Sequence, residues 1–243
     1  MEEMQIPRPA PLRSLGMTSV KGRSRIRLPA ACFLPCSTLD VRMPQIYQPE
    51  NVTVAITGAS GSVFAVHLLQ ALERDKRVKA VNLIVSDTAL RVLAEEIGIR
   101  GRSDMVSQLL GAKSKKIQQQ SNDDIAANVA SGSYPTDAMI VIPCSMGTLA
   151  RIANGMSSSL IERAADVCLK EQRPVILCVR ETPLNKIHIR NMYRAADAGA
   201  VLYPLIPTFY NKPIDSNEMA RQFAARVLQH IGLPQDGAYR WKG

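Results

Sequence analysis

The stretch V-T-V-A-I-T-G-A-S-G-S-V-F-A-V-H-L-L-Q-A-L-E, residues 52–73, decides the fold. A β-branched run ends in Thr57-Gly58-Ala59-Ser60-Gly61, and apolar residues at Val63, Val66, Leu69 and Leu72 then follow a helical period. This is a strand that feeds a helix through a turn of glycines and hydroxyls. Such a turn sets backbone N–H groups and the positive end of a helix beside a small anion. The pattern is neither G-x-G-x-x-G nor the phosphate loop with its lysine. On the turn alone, anion binding and plain turn chemistry both remain open.

The alternation continues along the chain. Strands are expected at 52–57, 78–86, 138–143, 174–179 and 200–205, and helices at 62–74, 87–97, 146–153, 160–172, 186–198 and 215–231. Residues 98–136 read as polar and irregular. Asp215 or Ser216 is the expected N-cap of the last helix. Strands alternating with helices give an α/β protein with a doubly wound parallel sheet in a single domain.

The 243 residues suffice for one such core. Aromatics are 5%, too few for a base-stacking platform, and no Lys/Arg block marks a nucleic-acid tail, so no nucleic-acid partner is expected despite a net charge of +9. No apolar run approaches the roughly 20 residues of a membrane span, so no membrane partner is expected. Residues 1–48 are rich in Pro and Arg and hold no helical or strand period. They read as a disordered basic extension preceding a domain at 49–243. Met43 as the natural start is one alternative; a transit peptide is another, although Glu2 and Glu3 argue against it. Cys144, Cys168 and Cys178 lie in apolar segments, and Cys32 and Cys36 have no second pair at metal spacing, so no metal site is expected.

In open α/β sheets ligands bind beyond the carboxyl ends of the strands. The residues following those ends are Thr57–Gly61, Ser86-Asp87, Pro143–Thr148, Arg180-Glu181 and, after a gap, Pro207–Tyr210. Together they form a rim of small donors, one Arg-Glu pair and one Tyr, suited to a ligand with a phosphate and polar heterocyclic edges. Ser145 and Thr148 serve equally as helix caps. Arg163 and Lys170, seven apart, share a helix face with Asp166 between them, which is also the pattern of a solvated salt-bridge ladder. Glu96, near a helix end, reads as surface. No Ser-His-Asp or Cys-His arrangement can be read.

Longer runs are more specific. GASGS at 58–62, ASGSYPTDAM at 130–139, PCSMGTLARIA at 143–153, LIERAADVCLKEQRPVILCVRETPL at 160–184 and PTFYNKP at 207–213 resemble the flavin prenyltransferases of the UbiX type. The resemblance runs from about residue 52 onward. It implies a Rossmann-like flavoprotein fold, FMN as substrate, and dimethylallyl monophosphate as donor of a prenyl group to flavin N5 and C6. By motif it implies that Gly58, Ala59, Ser60, Ser86, Ser145, Met146, Gly147, Thr148 and Arg180 contact FMN. It places Arg163, Lys170, Glu181, Tyr210 and Arg226 around the prenyl phosphate, some from neighbouring subunits. Ser60, Glu96 and Glu181 would assist proton movements, with Lys170 also among the catalytic set. It further implies a homo-oligomer, a dodecamer by family pattern, in the cytoplasm (mitochondrion, were 1–48 a transit peptide), and a UbiD-type decarboxylase as recipient of the product. One departure stands out: where some members place an aromatic after an Asn-Asp pair, Asn122-Asp123 is followed by Asp124. No D-D-x-x-D occurs, so Arg and Lys rather than Mg²⁺ would offset the phosphate charge. A dinucleotide oxidoreductase fits less well, because Phe64 stands where a third glycine belongs and no Tyr-x-x-x-Lys occurs. A flavin-dependent decarboxylase of related fold lacks its Asn-bearing segment at 143–148, and a flavin storage protein remains a non-enzymatic alternative.

Overall fold

The computed structural model describes residues 48–99 and 101–240, so the expected basic extension, save Gln48, lies outside the described residues. In chain order the elements are β1 (Asn51–Ile56), α1 (Ser62–Arg74), β2 (Ala80–Val85), α2 (Asp87–Ile97), α3 (Met105–Leu110), β3 (Ile117–Gln120), a 3₁₀ turn (Asn128–Ala130), β4 (Ala138–Cys144), α4 (Met146–Ala153), α5 (Leu160–Lys170), β5 (Val175–Val179), α6 (Lys186–Asp197), β6 (Val201–Leu202) and α7 (Ser216–His230). The strands form one parallel sheet in the order β3-β2-β1-β4-β5-β6. The expected doubly wound architecture is borne out, and the direction of winding reverses between β1 and β4.

Strand alternation builds two apolar layers. Val52, Val54 and Ile56 face one side, with Leu68, Leu69 and Leu72 of α1 and Phe223, Val227 and Leu228 of α7. Ala55, Met139 and Val141 face the other, with Leu149 of α4, Ile161, Ala164 and Ala165 of α5, and Ala195 of α6. Both faces are covered, which is why the central strands are nearly continuous apolar runs. The helix ends are fixed by side chains. Asp215 accepts from the Glu218 N–H at 2.7 Å and caps α7, as expected. The Lys116 ammonium donates to the carbonyls of Leu72, Glu73 and Asp75 and closes the C-terminus of α1.

Two expectations fail locally. The stretch 98–136 is not wholly irregular: it holds α3 and an edge strand, β3. The I-Q-Q-Q sequence of β3 carries no alternating apolar signal, because only Ile117 is buried and Gln120 instead donates to Asn82 on β2 at 3.3 Å. The strand expected at 200–205 is regular only over Val201–Leu202. Pro204 has no N–H to donate, yet Tyr203 and Leu205 still donate to the Leu177 and Val179 carbonyls.

Asp75, at the end of α1, accepts from the Arg77 guanidinium at 2.6 and 2.9 Å and from the Gln235 amide at 2.9 Å; its side chain is 6% exposed. The Arg77 hydrogen bonds, chiefly, hold its pKa down at about 2 against the opposing effect of burial. Depression of a carboxylate pKa gives stability that is present above the unfolded-state value and fades as pH falls toward the folded one. Asp75→Asn is therefore expected to cost about 2 kcal/mol near neutrality. In urea unfolding the gap between parent and variant should shrink between pH 4 and about 2. A gap constant with pH would contradict the linkage.

Candidate active site

At the reversal point Thr57 joins the ends of β1 and β4. Its hydroxyl donates to the Pro143 carbonyl at 2.8 Å and accepts from the Ser145 N–H at 2.8 Å, while its own N–H donates to Pro143 at 3.2 Å. Three helices then begin beside one another. Ser86 caps α2 by accepting from Ala89 N–H (3.1 Å), and Ser145 caps α4 by accepting from Thr148 N–H (3.3 Å). Ser159 caps α5 in a box with Glu162. All three serines line one cleft of about 420 Å³. Its walls also carry Gly58, Thr88, Gly147 and Thr148, with Asn122 holding the first turn of α5 through Leu160 and Ile161 N–H. Helix N-termini converging on small hydroxyls make a seat for an anion.

Gly58 is there for want of space. A Cβ on it would stand 2.5 Å from Thr88 Oγ1 and 2.6 Å from Thr88 Cβ, at the opening turn of α2. Beyond it the turn is held by Glu96, reaching across from the end of α2. The Glu96 carboxylate accepts from Gly61 N–H (3.0 and 3.1 Å) and Ser62 N–H (2.7 Å), and Ser60 hydrogen-bonds to it as well. Burial alone would raise its pKa; the bonds from Ser60, Ser62 and Gly61 outweigh burial and hold it below the ordinary glutamate value. The surface reading of Glu96 thus misses what it does: it is exposed, yet it caps α1 and pairs with Ser60.

The remaining candidates are spread over the molecule. Ala59 and Met146 are buried, Met146 in the apolar layer beneath α4, and neither lines the cleft; nor do Ser60 and Arg180. Arg180 follows β5 and its N–H donates to the Cys144 carbonyl, which places it next to the end of β4. Glu181 turns back to accept from Thr182 N–H at 3.0 Å and makes no ion pair with Arg180. Of the ladder on α5, only Arg163–Asp166 forms (2.9 Å); Lys170 pairs with Glu171 instead. Tyr210 and Arg226 do meet, the guanidinium donating to the phenol at 2.9 Å. They line a separate cavity of about 440 Å³ with Tyr203 and Phe223. The Tyr203 hydrogen bond, foremost, raises the Arg226 pKa. A larger cavity of about 670 Å³ lies between α1, α7 and the tail after Pro234. No strand end opens into it; Arg77 and Arg221 there are tied to Asp75 and Glu218, with Arg74, Lys76 and Arg240 also in its wall, whereas the strand-end cleft is distinguished by the three helix N-termini that open on it.

Comparison with known proteins fixes the family. The family model Flavoprotein matches residues 41–221. The chain is 38% identical over 199 residues to the flavin prenyltransferase UbiX of Pseudomonas aeruginosa, covering 79% of this chain and 94% of the relative. It is 42% identical over 196 residues to that of Salmonella typhimurium, covering 80% and 99%. This chain belongs to the UbiX flavin prenyltransferase family. Among solved structures, AnUbiX in complex with FMN and dimethylallyl pyrophosphate superimposes with a TM-score of 0.72 at 38% identity, covering 80% of this chain and 98% of that one. The dodecameric FMN-dependent UbiX-like decarboxylase of Escherichia coli O157:H7 gives 0.72 at 39%, covering 79% and 100%.

On this UbiX-family scaffold, reading the sequence alone passed over Thr88, Asn122, Arg151, Ser158, Ser159 and Glu162, all in the cleft wall. Only the S-S-x-x-E pattern at 158–162, a capping box, signals part of that group beforehand. The buried thiols offer no nucleophile: burial pushes Cys144 up to about 12 and Cys168 up to about 11. Among the described residues no group of three or more His, Cys, Asp or Glu side chains could hold a metal, and no helix is long and apolar enough to cross a membrane.

Gly58→Ala must push the β1 turn away from the first turn of α2. FMN affinity is expected to fall by about tenfold or more, equivalent to about 1.4 kcal/mol. Flavin fluorescence titration checks this, and parent-like affinity would show that the turn and α2 need not touch.

Proposed function

We propose that this chain transfers the dimethylallyl group of dimethylallyl monophosphate to N5 and C6 of reduced FMN, releasing inorganic phosphate. The observation that carries this is its near end-to-end match to UbiX flavin prenyltransferases, over 94% and 99% of two of them. The serine-capped cleft supports a phosphorylated ligand on physical grounds alone.

In this reading the C–O bond to phosphate breaks and the bond to N5 forms as the N5 proton passes to the departing phosphate; closure onto C6 then takes a proton off that carbon while the prenyl chain gains one. Ser60 and Glu96 form a relay: ionised Glu96 accepts the Ser60 hydrogen bond, which leaves the serine oxygen free to take up a proton at the reacting edge. Arg180 and the turn at Gly58–Ser60 flank the flavin. Arg163, Lys170, Tyr210 and Arg226, with Glu181 nearby, receive the prenyl phosphate by forked and point-charge hydrogen bonds, so the step needs no divalent ion. Arg226 and Tyr210 are already brought together by the hydrogen bond between them. The working form is a homo-oligomer, dodecameric like the UbiX-like relative, located in the cytoplasm, and its product is taken up by a UbiD-type decarboxylase.

The test is anaerobic incubation with reduced FMN and dimethylallyl monophosphate in the presence of a chelator, followed by the mass of the flavin. A gain of one isoprene unit is expected; an unchanged flavin would overturn the assignment, and activity restored only by Mg²⁺ would overturn the metal-free mechanism. Dimethylallyl diphosphate in a parallel arm decides the donor, since the AnUbiX complex contains the diphosphate. A second reading comes from solved relatives described as decarboxylases. Carbon dioxide released from an aromatic acid by this chain alone would favour it.

Glu96→Gln should lower prenylation by about tenfold or more while leaving FMN affinity within about threefold, as expected for loss of one proton-transfer group. Equal turnover in parent and variant would remove Glu96 from the relay.

A further inference from the structure

The strand-end cleft has only two charged side chains in its wall, Arg151 and Glu162. Glu162 is 4% exposed and its charge is engaged on every side. One carboxylate oxygen accepts from Ser158 N–H (2.9 Å), the Ser158 hydroxyl (2.6 Å) and Ser159 N–H (3.1 Å); the other faces Arg151 Nε at 3.5 Å. Arg151 sits on α4, one turn beyond Gly147, and half of its side chain is exposed. With Nε turned to Glu162, the two terminal nitrogens remain directed elsewhere. One of them is 3.8 Å from where a Cβ on Gly147 would stand, which places the guanidinium beside the first turn of α4.

The rest of the wall says which part of a flavin belongs there. Ile161 is its one large apolar side chain; apart from Arg151 and Glu162 the others are hydroxyls, an amide and two glycines. A flat tricyclic ring stacks best on large apolar side chains, of which this cleft has one, whereas a phosphate dianion suits helix N-termini and a forked cation.

We propose that Arg151, positioned by buried Glu162, binds the flavin's 5′-phosphate and makes this cleft select FMN over unphosphorylated riboflavin. This rests on the reading that the cleft takes FMN, and it adds the residue that distinguishes the phosphorylated form. Glu162 touches no flavin; it holds Nε so that the terminal nitrogens present a fork.

The experiment titrates the full chain with FMN and with riboflavin, following flavin fluorescence, for the parent, Arg151→Met and Arg151→Lys. Methionine keeps much of the apolar stem and removes the charge. Arg151→Met should weaken FMN binding by about tenfold or more and leave riboflavin within about twofold; Arg151→Lys should fall between, keeping charge without the fork. Glu162→Gln should lower the FMN-to-riboflavin preference in the parent but not further in Arg151→Met, since the two act through one contact. Unchanged FMN affinity in Arg151→Met, or equal losses for both flavins, overturns the proposal while leaving FMN binding intact. Additive effects of the two substitutions overturn the positioning role. A parent that binds no FMN overturns this proposal together with the functional reading beneath it.

Discussion

The site depends on one buried hydroxyl. Nothing in a doubly wound sheet crosses above the gap between its two halves, because the connections leave β1 and β4 toward opposite faces. That gap is the crevice, and its lips need a fixed spacing. Thr57, 1% exposed, sets it: one side chain and one N–H tie the end of β1 to Pro143 and Ser145 beyond the end of β4. The Gly58 turn and the N-cap of α4 are thereby held in one frame, and the N-termini of α2 and α5 complete the seat.

The choice of caps carries the electrostatics. An acidic N-cap is as good as serine for a helix but repels a phosphate. The three helices that open on the cleft are capped by Ser86, Ser145 and Ser159. α7, which opens elsewhere, is capped by Asp215. The acid in the first turn of α2, Asp87, is drawn off by Arg102 at 2.6 Å, and that of α5, Glu162, by serine donors and Arg151. The cleft keeps the dipoles of three helices and sheds the negative charge that would cancel them.

Sequence pattern revealed the central layers because burial on both faces leaves apolar strands that stand out, as at Val52–Ile56 and Ala138–Cys144. It lost the edge strand β3, where polar residues pair at the margin of the sheet, and the helix α3 that precedes it. At the site, residues directly after a strand were legible: Gly58, Ser86, Ser145, Gly147 and Thr148 all line the cleft. Those that reach it from further along a helix or loop were not. Arg151 looks like any basic residue in a helical last turn, and Asn122 like any loop amide, until α5 folds back over α4. Glu96 was named through the resemblance alone, for its position thirty-five residues from Gly61 leaves no local trace of the cap it forms.

The placement of the residues proposed to hold the prenyl phosphate carries a constraint of its own. Arg163 and Lys170 project from α5, which packs on one face of the sheet, and Arg226 from α7, on the other. Lys170 is also two helical turns, about 10 Å along the axis, from Arg163, and α5 runs away from the cleft. The sheet between α5 and α7 cannot be folded around a molecule as small as a prenyl phosphate. If all these cations act on one phosphate, the two sets come from different subunits, and assembly is then a condition of catalysis rather than an accompaniment to it. The apolar side chains of Leu184, Ile187, Ile189 and Tyr193, at and before α6, are 44–70% exposed in the single chain, which is costly unless a neighbour covers them. A subunit contact that buries such a surface beside the β5 loop would lie next to Arg180 and Glu181, so the packing that stabilises the assembly would also enclose the two residues that follow β5.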